Sequence, residues 1–154
     1  MNIVNKIVLS LVLSLSSTIT YADTMDDSTI YLVATPSLIE DTMNHMQVSF
    51  STIPVGYLIQ DNGAEFVMIC SEERIKLGVG IVDSKHEIPL AKLNAWNRQS
   101  NFTRAYKDAN NVLVVEAVLS FKGGTTQPAI MMFYNDFRND INVFVKYMSN
   151  NVVS

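Results

Sequence analysis

The side chains that could act as nucleophiles or general bases are few in this sequence. Cys70 is the only cysteine, and His45 and His86 are the only histidines among 154 residues. Nucleophilic catalysis needs a Ser or Cys beside a base, usually a histidine that a third group orients. Cys70 lies inside an apolar run, both histidines come near the ends of predicted elements, and no G-x-S-x-G turn is present. The pattern therefore indicates no catalytic residue, and an enzyme is the least favoured class.

Metal and anion sites find equally little support. Zinc needs three or four close ligands, and two isolated histidines and one cysteine do not have that spacing. Glu72, Glu73, Asp83 and Glu87 could hold a hard cation, but such carboxylates are more typical of a solvated turn. Gly123-Gly124-Thr125-Thr126 resembles an anion cradle before a helix, yet no phosphate-loop pattern accompanies it. We predict a plain turn with an N-cap there, and no cofactor or metal.

The amino-terminal 22 residues have the three parts of a cleavable export signal. Lys6 supplies positive charge, residues 7–15 form an apolar core, and Thr20 and Ala22 are small residues at the −3 and −1 positions of a cleavage site. The apolar run is far shorter than the roughly 20 residues that span a bilayer. We expect cleavage before Asp23 and a periplasmic or secreted product; the alternative is an uncleaved anchor. No second long apolar stretch follows, so we expect no stable membrane insertion after cleavage.

Cys70 has two possible roles in an oxidising compartment. A single cysteine cannot form an intramolecular disulfide, so it is either a buried apolar thiol or a partner for another chain. Its apolar surroundings favour burial.

Composition describes one globular domain. Apolar residues make up 48% of the chain and charged residues 17%, and the formal net charge is −4. A mild acidic excess without any basic stripe argues against nucleic-acid binding. After the signal we expect a flexible acidic leader at residues 23–34 and a single domain at residues 35–150.

Hydrophobic periodicity predicts an α+β fold in the order α-β-β-β-α-β-β-α, with helices packed on an antiparallel sheet. Residues 48–53 give only a weak strand signal, and Asn62-Gly63 predicts a tight hairpin turn. The predicted elements are a helix from Thr35-Pro36 to about residue 46, strands at 56–60, 65–71 and 75–82, a helix at 89–98, strands at 102–107 and 112–121, and a long helix from Pro128 to about Met148. The spacing of eight apolar residues predicts one continuous apolar stripe along the last helix: Ile130, Phe133, Tyr134, Phe137, Ile141, Phe144, Val145 and Met148.

The second faces of two predicted strands are unusual. Gly78 and Gly80 lie on one, and Val112, Val114 and Val118 lie on the other. Glycines on a strand face mark a place where a helix, a partner chain or a ligand packs close to the backbone, and an internal helix is the simplest interpretation. If no internal element covers this face, its apolar residues are a candidate interaction face.

Residues 93–97 (Leu-Asn-Ala-Trp-Asn) are the most distinctive string in the sequence. Asn94 and Asn97 lie three apart on one side of a helix, where their amides can bond to carbonyls or to the following strand. The structural interpretation is that asparagine closes the helix and Trp96 fills the core.

With that string, Phe102-x-Arg104-Ala105-Tyr106, residues 112–116 and Gly123-Gly124 before an amphipathic helix, the chain resembles the YbjN-type domain family over roughly residues 35–148. That family is described as bacterial sensory-transduction regulators, and its fold resembles that of type III secretion chaperones. The resemblance implies a regulatory or protein-binding module without a known reaction. Many relatives carry a second cysteine shortly after the position of Cys70; residues 71–75 here have none, so no local disulfide is implied. The motif residues Asn94, Trp96, Asn97, Arg104, Tyr106, Gly123 and Gly124 are expected to be structural.

The sequence thus favours an exported interaction module that binds a protein partner or itself. The alternative is a small-molecule sensor with a pocket between the sheet and the last helix, lined by Tyr134 or Trp96.

Overall fold

The computed structural model describes residues 28–81, 88–100 and 102–149. Its elements are α1 (Pro36–His45), β1 (Ser49–Ile53), β2 (Gly56–Asp61), β3 (Ala64–Ser71), β4 (Arg74–Ile81), α2 (Leu90–Gln99), β5 (Arg104–Lys107), β6 (Leu113–Ser120) and α3 (Gln127–Ser149).

The six strands form one antiparallel sheet in the order β1-β2-β3-β4-β6-β5. The predicted α+β class is confirmed. The predicted element order was wrong by one strand, because the weak pattern at residues 48–53 belongs to β1. That strand lies at the sheet edge and has no fully buried residue, so its alternation of apolar and polar side chains is faint.

One face of the sheet packs against all three helices and makes the core. On this inner face Ile59, Ile75, Leu77 and Val115 are completely buried. The helices cover them with apolar residues whose spacing matches the helical period: Leu38, Ile39 and Met43 of α1; Leu93 and Trp96 of α2; Ile130, Phe133, Tyr134, Phe137, Ile141 and Phe144 of α3. Six of the eight apolar positions predicted for the last helix are therefore buried. Val145 instead faces solvent, and Met148 is partly buried against the core.

The start of α1 has the predicted chemistry. The Thr35 hydroxyl accepts a hydrogen bond from the Leu38 N–H at 3.3 Å, and Pro36 occupies the first helical turn, where it removes no needed donor. Further upstream, the structure differs from the expected flexible leader at residues 31–34. Tyr31 pairs with Thr125 through two backbone hydrogen bonds, and buried Ala34 donates its N–H to the Glu72 carbonyl at 3.0 Å.

Gly124 allows this close approach of residues 30–34 to the segment before α3. Its φ is +90°, and a Cβ at this position would overlap the Ile30 side chain. Glycine alone therefore satisfies both the backbone conformation and the packing here.

We expect Gly56→Ala to destabilise the domain far more than Gly63→Ala. Both residues have positive φ, but a Cβ on Gly56 would overlap the Met68 carbonyl of the neighbouring strand, whereas a Cβ on Gly63 would meet nothing within 4 Å. Gly63→Ala should cost about 1–2 kcal/mol, the backbone penalty alone. Gly56→Ala should cost about 3 kcal/mol or more, since the backbone of β3 must also move. Urea denaturation of the two variants measures the difference, and equal losses would contradict the hairpin geometry.

Candidate functional site

The five residues of the candidate interaction face lie together on the side of the sheet opposite the helices, which we call the outer face. The antiparallel register of β4 and β6 places Gly78 opposite Glu116 and Gly80 opposite Val114. Val118 and Val112 share the parity of Val114, so they lie on the same face. The sequence pattern therefore placed these residues correctly, because side chains alternate strictly along a strand.

No helix of the described chain packs on the outer face. The simplest interpretation of the sequence, that an internal helix covers Gly78 and Gly80, was therefore wrong for the described part of the chain. The buried residues of all three helices pack with the inner face instead. Apolar side chains consequently remain open on the outer face: Val118 is 52% exposed, Tyr106 39% and Ile69 37%.

The two glycines make a shallow trough along β4. Because neither Gly78 nor Gly80 has a side chain, the backbone of β4 is bare between the side chains of β3 and those of β6 and β5. A Cβ on Gly78 or Gly80 would make only ordinary van der Waals contacts, none closer than 3.6 Å, so a methyl group fits above either residue. The trough has a volume of about 220 Å³ and is lined by Val67, Ile69, Lys76, Gly78, Val79, Gly80, Tyr106, Val114 and Glu116.

Three polar side chains form the rim of this trough. The Lys76 Nζ lies 3.4 Å from a Glu116 carboxylate oxygen, and the Tyr106 hydroxyl donates to the same oxygen at 2.9 Å. Burial first, and then the hydrogen bond to Glu116, raise the pKa of Tyr106 above its ordinary value. At neutral pH the hydroxyl therefore stays protonated and keeps donating, which fixes the aromatic ring at the side of the trough.

The other motif residues act mainly within the fold. The Asn97 amide donates to the Ala105 carbonyl at 2.9 Å and accepts from the Ala105 N–H at 2.8 Å, so it binds the outer edge of β5 as a neighbouring strand would. Trp96 is buried and donates to the Thr103 hydroxyl at 3.3 Å.

The remaining motif residues make fewer contacts within the fold. Asn94 is exposed, and Gly123 and Gly124 both take positive φ in the turn before α3. Arg104 and Tyr106 differ from these, because both project from β5 onto the outer face.

Sequence reasoning missed a partly buried polar cluster that joins the α2–β5 connection to α3. The Thr103 hydroxyl donates to the Asp140 carboxylate at 2.7 Å, and the Ser100 hydroxyl donates to the same oxygen at 3.1 Å. Asp140 lies 37 residues from Thr103. No local pattern links residues so far apart, and these side chains hold helices together instead of facing a cleft.

The two residues predicted to line a pocket between the sheet and the last helix lie in the core instead. Tyr134 is 1% exposed and Trp96 is 4% exposed. Tyr134 donates its hydroxyl to Asp61 at 2.8 Å, and Arg138 donates to that same carboxylate oxygen at 2.6 Å. These contacts hold the β2–β3 hairpin against α3 and fix Tyr134 in the core.

A second groove, of about 470 Å³, runs beside Cys70 at the α1 end of the sheet. Cys70 is partly buried there, and burial raises the pKa of its thiol to about 11. On the groove wall the Tyr57 hydroxyl donates to Glu40 at 3.0 Å, and burial together with this bond raises the pKa of Tyr57 to about 12. Neither group is activated for chemistry at neutral pH.

Among the described residues, no group of three or more His, Cys, Asp or Glu side chains could hold a metal ion. His86, Asp83 and Glu87 lie outside the described residues, and His45 is exposed at the end of α1. The segment before α3 has its predicted N-cap, since the Thr126 hydroxyl accepts from the Ala129 N–H at 3.3 Å. Within the described ranges, no helix combines the length and the apolar character needed to cross a membrane.

These features define a class of protein: a small α+β domain in which helices cover one face of an antiparallel sheet and leave the other face open. A family profile described as "YbjN: Putative bacterial sensory transduction regulator" matches residues 59–145, more than half of the chain. The chain belongs to this YbjN family, as the motif string around Trp96 predicted.

Several solved structures are similar to the chain, among them the following two. "YbjN, a putative transcription regulator from E. coli" superposes with a TM-score of 0.65 at 19% sequence identity, covering 75% of this chain and 90% of that one. The Yersinia pestis type III secretion chaperone SycH, solved in complex with a stable fragment of YscM2, gives a TM-score of 0.48 at 13% identity, covering 68% of this chain and 93% of that one. None of the curated proteins matches the sequence. The first likeness establishes a shared fold.

We expect Cys70 to react slowly with iodoacetamide at pH 8 and faster as the pH approaches 11. Its folded pKa lies about 2 units above the ordinary thiol value, so the reactive thiolate should be about 100-fold scarcer at pH 8 than in the unfolded chain. Alkylation of native and urea-unfolded protein, followed by mass spectrometry, measures the ratio. A native rate equal to the unfolded rate would show that the thiol is not desolvated.

We expect Asn97→Ala to reduce the free energy of unfolding by about 1–2 kcal/mol, because two hydrogen bonds to the edge of β5 are lost. Asn94→Ala is the matched control on the same helix. Asn94 is exposed, so that change should cost no more than about 0.5 kcal/mol. Urea denaturation compares them, and equal values would mean that the amide does not hold β5 in solution.

Proposed function

We propose that this chain is an exported, non-catalytic interaction module that acts in sensory or regulatory signalling, and that its outer face binds a protein partner. The observation that carries the proposal is the open outer face with its apolar trough. Exposed apolar side chains that cluster on one surface and are bordered by polar groups mark interaction sites, because their burial against a partner is favourable.

The size of the trough favours a protein over a metabolite. Ligand pockets usually enclose about 300–1,000 Å³, and the trough holds about 220 Å³ in an open groove. A space of that size accepts one or two apolar side chains from a partner that packs over the sheet. Tyr106 supports the same conclusion, since a half-exposed tyrosine beside a small cavity is a common anchor of protein interfaces.

The family membership supports a regulatory role, since the family is described as "putative bacterial sensory transduction regulator" and regulators act by binding. The amino-terminal segment supports export, because a positive residue, an apolar core and small residues precede Asp23 in the order that a signal peptide requires. The absence of an activated nucleophile beside a base in the described residues supports the non-catalytic part of the proposal.

A second candidate function is small-molecule sensing at the groove beside Cys70. The observation in its favour is the volume of about 470 Å³, which lies in the range of ligand pockets and includes Tyr57 and Glu40 as polar groups. A metabolite that raises the melting temperature of the chain, and does so less with Tyr57→Phe, would favour this candidate over the outer face.

We expect Val114→Asp to abolish capture of the partner while the chain stays folded. A carboxylate at this wall of the trough would have to be desolvated when a partner packs there, which opposes binding. The tagged chain is expressed in its source cells, crosslinked and purified, and the captured proteins are identified by mass spectrometry. Circular dichroism and urea denaturation establish that the variant folds.

Val143→Asp is the matched control, because Val143 is 53% exposed on α3 and receives the same change away from the outer face. It should leave capture unchanged. If Val114→Asp unfolds the chain, Val118→Asp takes its place, since Val118 is 52% exposed and a carboxylate there stays in contact with water in the free protein. Capture that survives the outer-face substitution in a folded chain would overturn the proposal.

A further inference from the structure

Charged side chains of both signs border the outer face. Three cations project from it, Arg74 and Lys76 of β4 and Arg104 of β5, together with the carboxylates Glu65 and Glu116. Asp108 follows β5 and lies close enough to Tyr106 to raise the pKa of that hydroxyl, so the charges of this face balance.

The carboxylates of the outer face do not neutralise its arginines. Arg104 lies directly opposite Glu116 in the β5–β6 register, but the Glu116 carboxylate is bound by Lys76 and by the Tyr106 hydroxyl. Neither Arg104 nor Arg74 makes an ion pair with any part of the chain that the structure describes, and both are exposed. Both guanidinium groups are therefore available to a carboxylate from outside, which an arginine binds with paired hydrogen bonds.

We propose that the partner of the outer face is an acidic protein segment in which an apolar side chain fills the trough and a nearby carboxylate binds Arg104. This inference rests on the proposed function and adds the chemistry of the partner to it. Neighbouring strands lie about 4.8 Å apart, so Arg104 is separated from Gly78 by about 10 Å across two strand spacings. One short segment of a partner can therefore bring an apolar side chain to the trough and a carboxylate to Arg104.

The outer face of a second copy of this chain is a poorer partner for these arginines than an acidic segment. A two-fold dimer through the outer face would place the same surface against itself. The carboxylates of that surface are already bound: Glu116 by Lys76 and Tyr106, Glu65 by the Gln60 amide, and Asp108 by the N–H groups of Asn110 and Val112. An acidic segment brings carboxylates without such contacts, so it pairs with an arginine at less cost.

The test uses a random dodecapeptide library displayed on phage, selected on the immobilised chain. We expect the enriched peptides to combine aspartate or glutamate with a large apolar residue, and we expect no such enrichment on Val114→Asp. Enrichment of neutral or basic apolar peptides that still depends on Val114 would overturn the acidic partner and leave the proposed function in place. Enrichment that is the same on both forms, or on neither, would count against the outer face as a binding site altogether.

A charge-reversal variant then measures how much Arg104 contributes to binding of the peptide. The best enriched peptide, carrying a fluorophore, is titrated with the wild-type chain and with Arg104→Glu, and binding is followed by anisotropy. We expect the dissociation constant to rise at least about fivefold, since an attraction becomes a repulsion. Arg98→Glu on α2 is the matched control, because the same change in net charge occurs on an exposed residue of the other side of the sheet. Equal effects of the two reversals would mean that binding depends only on the net charge of the chain, which would overturn the assignment to Arg104.

Discussion

The packing of the α3 aromatic stripe against the inner face of the sheet is the interaction on which the rest of this structure depends. Phe137 is completely buried and meets Phe66 of β3 edge-to-face, with ring centroids 5.5 Å apart. Near the other end of the helix, Phe144 meets Trp96 of α2 at 5.0 Å. A single helix thereby joins the sheet to α2, and each fully buried aromatic side chain contributes about 1.5–3 kcal/mol through the area it removes from water. Because one helix makes both sets of contacts, the sheet and α2 are held in one arrangement.

This arrangement has a consequence for the opposite face. All three helices of the described chain pack on the inner face, so none of them covers the outer face. Antiparallel sheets tolerate such one-sided exposure. A solvated face normally alternates polar residues with the buried ones. Here Val114, Val118 and Ile69 interrupt that alternation, and Gly78 and Gly80 leave the backbone bare between them. The apolar surface costs the free protein solubility without adding to its core, which is the physical reason to connect it with binding.

The two edge strands of the sheet differ in whether their outward backbone N–H and carbonyl groups have a partner. Asn97 satisfies the outward N–H and carbonyl of Ala105, so β5 cannot readily accept another strand at that position. At the opposite edge β1 is short, uncharged and half-exposed, and the part of the chain that the structure describes contributes no pairing strand beyond it. The amide of Asn97 thus has a role that its position on a helix would not suggest, and it explains why this motif residue accompanies Trp96.

Local pattern by itself determined which elements form and which side chains share a face. The alternation at β4 and β6 separated Leu77 and Val115 from Gly78 and Val114 correctly, because the period of a strand is two whatever packs on it. The spacing of apolar residues along α3 identified its buried stripe in the same way, because side chains of a helix return to the same face about every 3.6 residues. Only the tertiary structure decided which face the helices cover, that the weak segment before Pro54 is an edge strand, and that Tyr134 lies in the core instead of lining a pocket. Those outcomes depend on contacts such as Thr103 with Asp140 and Tyr134 with Asp61, between residues 37 and 73 positions apart, and no local periodicity carries information over such separations.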